Sequence, residues 1–282
     1  MQQWHIGDVK ITLVREMSTD VVFEGMFPQG DRSVLDENVS WLKPHFLNDD
    51  GTLPLSIHAL VLESLGQTII VDTCVGCRPV PGFDAMAFME TDFLPNLTAA
   101  GYDFEDIDLV LCTHLHFDHV GWNTRLVDGE WVPSFPNARY LFVRTEYEHW
   151  DAGAEGAAVT FADAVRPVFE AGLADLVEMD HQVNDEIRFI PTPGHSPGHV
   201  SIRISSAGQE AVITGDMVHH PVQFVAPHWG MTADGDPAMA SATRTGFREQ
   251  FADSGVRVFG THFGGPSTGF LERADGSYRF TV

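Results

Sequence analysis

The chain reads as an α/β protein, a four-layer αββα sandwich of two mixed β-sheets packed together with helices outside. Three observations predict this. Short apolar runs recur along the 282 residues, and several end in Gly, Asp or His. Segments with helix-spaced apolar positions lie between those runs rather than in a block of their own. The alternation occupies two successive halves, one for each sheet, and fits a single domain over residues 1–282.

The elements follow in order. Residues 10–14 alternate polar and apolar and predict a strand. Residues 20–54 show no clear period; Phe23, Met26, Phe27, Trp41 and Phe46, with Pro28 and Pro44, predict an irregular segment. Such a segment either lines a cleft or packs its aromatics on the core. Residues 56–63 and 68–73 are two apolar runs joined by Ser64-Leu65-Gly66-Gln67, which predicts a β-hairpin. Asp72 ends the second run, where a buried carboxylate needs partners. It either accepts hydrogen bonds near a site or caps the next turn. Phe93, Leu94, Leu97 and Ala100 have helical spacing closed by Gly101.

Residues 107–112 and 140–143 predict strands, and 145–151 and 158–171 predict helices, the second kinked or shortened by Pro167. Residues 183–190, 200–204 and 210–214 predict further strands. Asp236-Pro237 opens a helix reaching about Asp253, with Asp as cap and Pro at the first turn. Residues 256–259 read as the last buried strand.

Composition narrows the function. With 16 Lys and Arg against 40 Asp and Glu, the net charge is −24. That field repels polyanions, which excludes nucleic acid as partner and disfavours anionic membranes. No run approaches the ~18 apolar residues of a membrane span. The start, Met1-Gln2-Gln3-Trp4-His5, has no signal-peptide character, so the expected location is cytoplasmic. Cys74, Cys77 and Cys112 are too few for a disulfide framework. Cys74-x-x-Cys77 lacks both a following helix start and a second ligand pair, so these thiols read as small buried or loop residues.

The chemistry concentrates in Thr113-His114-Leu115-His116-Phe117-Asp118-His119-Val120-Gly121, directly after an apolar run. His195, Asp216 and His262 also follow apolar runs and lie beside a glycine or in a turn. Polar side chains at the ends of buried strands are where an α/β scaffold places a site. Alternate residues of an extended segment share a face, so His114 and His116 suit one ion together. Asp118 and His119 are adjacent, point differently and suit a second ion. Imidazole and carboxylate without thiolate fit Zn²⁺ first, with Mn²⁺, Fe²⁺ or Co²⁺ as alternatives.

His114-Leu115-His116-Phe117-Asp118-His119 resembles the H-x-H-x-D-H signature of the metallo-β-lactamase superfamily. Val71-Asp72-Thr73, Pro193-Gly194-His195, Thr214-Gly215-Asp216 and Thr261-His262 are similar to its other motifs, in order, over most of the chain. The resemblance implies an αββα sandwich and a dinuclear site. His114, His116 and His195 would bind one metal; Asp118, His119 and His262 the other; Asp216 would bridge them. It also implies a metal-bridging hydroxide as nucleophile, with Asp118 as proton shuttle. His199 would orient a ligand rather than bind metal.

Within the superfamily, class B1 β-lactamases carry Cys where this chain has Asp216. Class B3 enzymes lack the bridging aspartate, and flavin-linked diiron proteins use Glu at the place of His116. The nucleic-acid branches need basic surfaces. The motifs most resemble the quorum-quenching lactonase and methyl parathion hydrolase group. The expected activity is opening of a lactone or cleavage of a small carboxylic or aryl ester. A glyoxalase II type thioesterase and an organophosphate triester hydrolase are the alternatives. One departure stands out: the best-known acyl-homoserine lactonases place Tyr three residues after the bridging Asp, and here that residue is His219. His219 either donates to the oxyanion or is a buried structural histidine. Phe23, Met26, Phe27, Trp122, Phe224 and Trp229 are expected to line an apolar pocket for a small apolar substrate. Arg78, Arg125, Arg144 and Arg244 are scattered, which opposes a coenzyme A or glutathione patch. A metal-free binding module and an iron oxidoreductase remain the other classes. A homodimer is left open.

Overall fold

The computed structural model describes residues 2–80, 82, 84–153, 157–274 and 276–282, and among these described residues the β-branched and aromatic runs form fifteen strands. The chain divides into two compact units: Met1–Met17 with Ile57–His181, and Ser18–Ser56 with Gln182–Val282.

The first sheet has the order β1 (Gln2–Ile6), β2 (Val9–Val22), β3 (Thr52–Ser64), β4 (Gln67–Val71), β5 (Leu109–Leu111), β8 (Arg139–Val143), β9 (Ala174–Val177). A separate hairpin, β6 (Thr124–Val127) and β7 (Glu130–Pro133), precedes β8 (Arg139–Val143) and β9 (Ala174–Val177). The β3–β4 hairpin is the expected one: Ser64 pairs with Gln67, and Leu65 and Gly66 both have positive φ, as a tight two-residue turn requires. Strands β4, β5, β8 and β9 run parallel. Their shared direction brings the C-terminal ends of β4 and β5 level, with Val71 opposite Leu111. Asp72 and Thr113 therefore emerge side by side.

A core built on Val61, Ile70, Val110, Tyr140 and Phe142 receives Phe93 and Leu97 from the helix Phe93–Ala99. It also receives Phe161, Val165 and Val168. Pro167 acts as expected. The five residues Phe161–Val165 form a π-helical turn before the short helix Arg166–Glu170. The amide that proline lacks leaves the Asp163 carbonyl to accept from Thr124 Oγ1 at 2.5 Å.

The second sheet runs in sequence order: β10 (Ile187–Pro191), β11 (Val200–Ser206), β12 (Gln209–Ile213), β13 (Arg257–Phe259), β14 (Thr268–Ala274), β15 (Ser277–Thr281). Only β12 and β13 are parallel, joined through the helix Pro237–Phe251. Asp236 caps that helix by accepting from Met239 N, as its sequence predicts. Ile213 lies opposite Phe259, so Thr214-Gly215-Asp216 and Gly260-Thr261-His262 leave the sheet together.

Several expectations are corrected. Residues 20–54 are not irregular throughout: Arg32–Leu42 is an eleven-residue helix capped by Asp31, with Leu35 and Leu42 buried two turns apart. The strand expected over 183–190 begins only at Ile187, because Asn184 accepts from Glu186 N and Ile187 N in a turn. Residues 256–259 are followed by two further strands, β14 and β15.

Candidate metal centre

In the first unit the site begins where β5 ends. Asp72 accepts from Thr113 N and Thr113 Oγ1, each at 2.8 Å, and lies 2.8 Å from His119 Nδ1. Of the two readings open for Asp72, hydrogen bonding beside the candidate ligands is the observed one. The carboxylate fixes the start of the 113–119 segment and the ring that closes it. His114 Nε2 is 3.0 Å from His116 Nδ1, and the His114 and His119 ring centroids are 4.1 Å apart. His119 Nε2 lies 3.8 Å from Asp118 Oδ2. His114 and His116 lie together at the end of the extended part, as their alternate spacing predicts, and Asp118 and His119 follow on one helical turn, Phe117–Val120. Gly121 is required next, since a Cβ there would meet Val75 O at 1.9 Å.

The loop rests on residues that sequence reasoning did not single out. Buried Glu146 accepts from Leu115 N and from Trp150 Nε1, and the Trp150 ring meets the His116 ring edge-on at 5.3 Å. Buried Glu16 accepts from Val75 N, Gly76 N, Thr91 Oγ1 and Trp122 Nε1. Burial raises its pKa, and these hydrogen bonds partly offset the rise.

In the second unit three imidazoles surround Asp216. Its Oδ2 lies 3.1 Å from His219 Nε2 and 3.4 Å from His195 Nε2, and its Oδ1 lies 3.1 Å from His262 Nε2. His219 and His262 are stacked, with ring centroids 5.6 Å apart. Burial lowers the pKa of His219. His199 accepts from Asp216 N through Nε2, which leaves its proton on Nδ1 to donate to Thr192 Oγ1, so it holds the Asp216 backbone. His262 Nδ1 lies 3.1 Å from Ser56 O.

His195 sits in the turn between β10 and β11, and its Nδ1 lies 3.0 Å from Asp234 Oδ1. Asp234 also pairs with buried Arg244. Burial pushes the Asp234 carboxyl up, but the His195 hydrogen bond and the Arg244 charge bring it below its ordinary value. Neither residue was legible as part of the site.

The expected apolar lining is corrected. Phe23, Met26, Phe27, Phe224 and Trp229 are fully buried in the second unit's core, where Phe23 and Phe27 meet Trp229 at 5.5 and 5.7 Å. Trp122 belongs to the first unit's core, stacked on Phe93. Cys74 and Cys112 are buried thiols, and burial raises both pKa values. Cys77 is exposed, and among the described residues the clustered donors are imidazole nitrogens and carboxylate oxygens, which fit a divalent ion of the zinc kind.

The model of the metallo-beta-lactamase superfamily matches residues 52–277, and the chain belongs to that family. Among curated proteins, the N-acyl homoserine lactonase AiiA of Bacillus thuringiensis subsp. kurstaki is 29% identical over 174 residues, covering 57% of this chain and 63% of that protein. The N-acyl homoserine lactonase AttM of Rhizobium radiobacter is 32% identical over 114 residues, covering 38% and 40%. The match thus spans less than two thirds of the length of these relatives. Among solved structures, AidC, a dizinc quorum-quenching lactonase in complex with a product, superposes with TM-score 0.80 at 22% identity, covering 99% of this chain and 96% of that one. The hydrolase AbOPH, in the beta lactamase superfamily, gives TM-score 0.81 at 26% identity with the same coverage. The fold is the expected metallo-β-lactamase fold of mixed sheets flanked by helices.

Proposed function

We propose that the chain is a dinuclear metal-dependent hydrolase that opens a lactone or cleaves a small carboxylic or aryl ester. One observation carries the reading: the buried Asp216 carboxylate has imidazole nitrogens of His195, His219 and His262 within 3.4 Å. Such a group of donors is costly to bury without a cation to share. By the family's motif order, His114, His116 and His195 would hold one divalent ion and Asp118, His119 and His262 the other, with Asp216 shared between them. When bound, the ions supply Lewis-acid activation of water and of the scissile carbonyl. Asp118 takes the proton of the attacking water and returns it to the leaving alkoxide. His219 supplies an N–H to the oxygen that gains negative charge.

Zinc is the first candidate metal, supported by the donor set and by the dizinc description of AidC. An N-acyl homoserine lactone is the first candidate substrate, supported by AiiA and AttM. This reading also places the reaction in the cytoplasm, on a small molecule and in a single catalytic domain. No helix among the described residues is long and apolar enough to cross a membrane.

An organophosphate triester is the second reading, favoured by His219 in place of the lactonase Tyr. The thioesterase reading is weaker. Arg244 and Arg78 are buried and donate to backbone carbonyls of their own units, and Arg144 pairs with Glu178. The test is a substrate panel on metal-quantified protein: lactones, aryl esters, a phosphotriester and thioesters. Turnover led by lactones supports the proposal, and turnover of thioesters alone overturns it.

A further inference from the structure

We propose that Asp234, held by Arg244, is the positioning residue that fixes the tautomer and direction of His195. The proposal rests on the metal reading above. The three side chains are almost completely buried. Asp234 Oδ1 lies 3.0 Å from His195 Nδ1, while Oδ2 accepts from Arg244 Nη2 at 3.1 Å and from Met231 N at 3.3 Å. An ionised carboxylate only accepts, so the shared proton resides on His195 Nδ1. That leaves the Nε2 lone pair directed away from Asp234, on the side of Asp216. A ring held in this way is a fixed and more basic metal ligand.

Arg244 extends the restraint. Its Nε donates to Pro227 O at 2.8 Å and its Nη1 to Met217 O at 3.3 Å. Met217 follows Asp216 directly, so one guanidinium ties the anchor of His195 to the backbone beside Asp216. The surrounding backbone closes the same joint: Gly235 N donates to His195 O and Asp236 N to Gly194 O, each at 2.9 Å. Lysine has the charge but not the three-way planar donor set.

The experiment compares zinc-loaded wild-type, Asp234→Asn and Arg244→Lys proteins. Zinc affinity is read by chelator competition, folding by Tm, and the His195 tautomer by ¹⁵N NMR. Asp234→Asn is expected to fold and to bind zinc about 10–100-fold more weakly. Arg244→Lys weakens it in the same direction by a smaller factor. In the wild type, His195 is expected to be protonated at Nδ1. Folded Asp234→Asn with wild-type zinc affinity overturns the proposal. Should that variant not fold, a wild-type His195 protonated at Nε2 overturns it instead. A wild-type chain that binds no zinc removes the metal reading and this proposal with it. Wild-type binding matched by Asp234→Asn removes this proposal alone.

Discussion

His119 Nδ1 lies 2.8 Å from Asp72 Oδ2, with both side chains at or below 2% exposure. The same carboxylate accepts from the backbone and hydroxyl of Thr113, so it holds both ends of the 113–119 segment. Asp72→Ala removes the carboxylate that holds His119 Nδ1. It should lower metal affinity or turnover by about 10–100-fold. Metal content and kcat, measured on folded protein, check this.

Gly194 has φ +132°, and a Cβ there would lie 2.3 Å from Ala240 N. The clash is with helix backbone rather than with a flexible side-chain tip, so it cannot be relieved locally. Gly194→Ala should destabilise the protein by about 1–3 kcal/mol from backbone strain alone. It should also displace His195. Denaturant unfolding gives the first quantity and zinc retention the second; unchanged values in both would show that the turn has room.

His220 is fully buried between Phe46 O and Val222 N, at 2.7 and 3.2 Å. Burial lowers its pKa to about 4, from 6.5. Its contribution to stability is therefore complete above pH 6.5. It is lost as pH falls toward 4, because the unfolded chain takes up a proton that the folded one refuses. The loss is on the order of 3 kcal/mol. Equilibrium unfolding of wild type and His220→Gln between pH 7 and 4 should show a steeper decline for the wild type. Parallel curves would mean that His220 titrates normally.

His219 Nε2 lies 3.1 Å from Asp216 Oδ2, beside the proposed ligands. As a donor to the developing oxyanion, it should cost about 10²–10³ in kcat when replaced by Ala, with metal content retained. An unchanged kcat would assign His219 a structural role.

Much of the candidate site was legible because its residues sit where apolar runs stop. The strands ending at Val71, Leu111, Ile213 and Phe259 announce Asp72, His114, Asp216 and His262, and parallel pairing sets Val71 beside Leu111 and Ile213 beside Phe259. The helix Arg32–Leu42 was missed although Asp31 and the seven-residue spacing of Leu35 and Leu42 were present; neighbouring aromatics and prolines obscured the period. The aromatics themselves were misplaced, since an apolar side chain in a loop looks alike whether it lines a cleft or fills a core. Asp234 and Arg244 had no local signal. A carboxylate 39 residues from its histidine acquires meaning only once the loops have folded over each other.

The central claim is that seven side chains hold two catalytic cations. Metal analysis of the purified protein, paired with lactone turnover before and after chelation, tests it most directly. The expected result is close to two divalent ions per chain, zinc foremost, with turnover lost on chelation and restored by metal, and with His116→Ala inactive on every substrate. Lactone turnover by metal-free protein, or by His116→Ala at the wild-type rate, would contradict it.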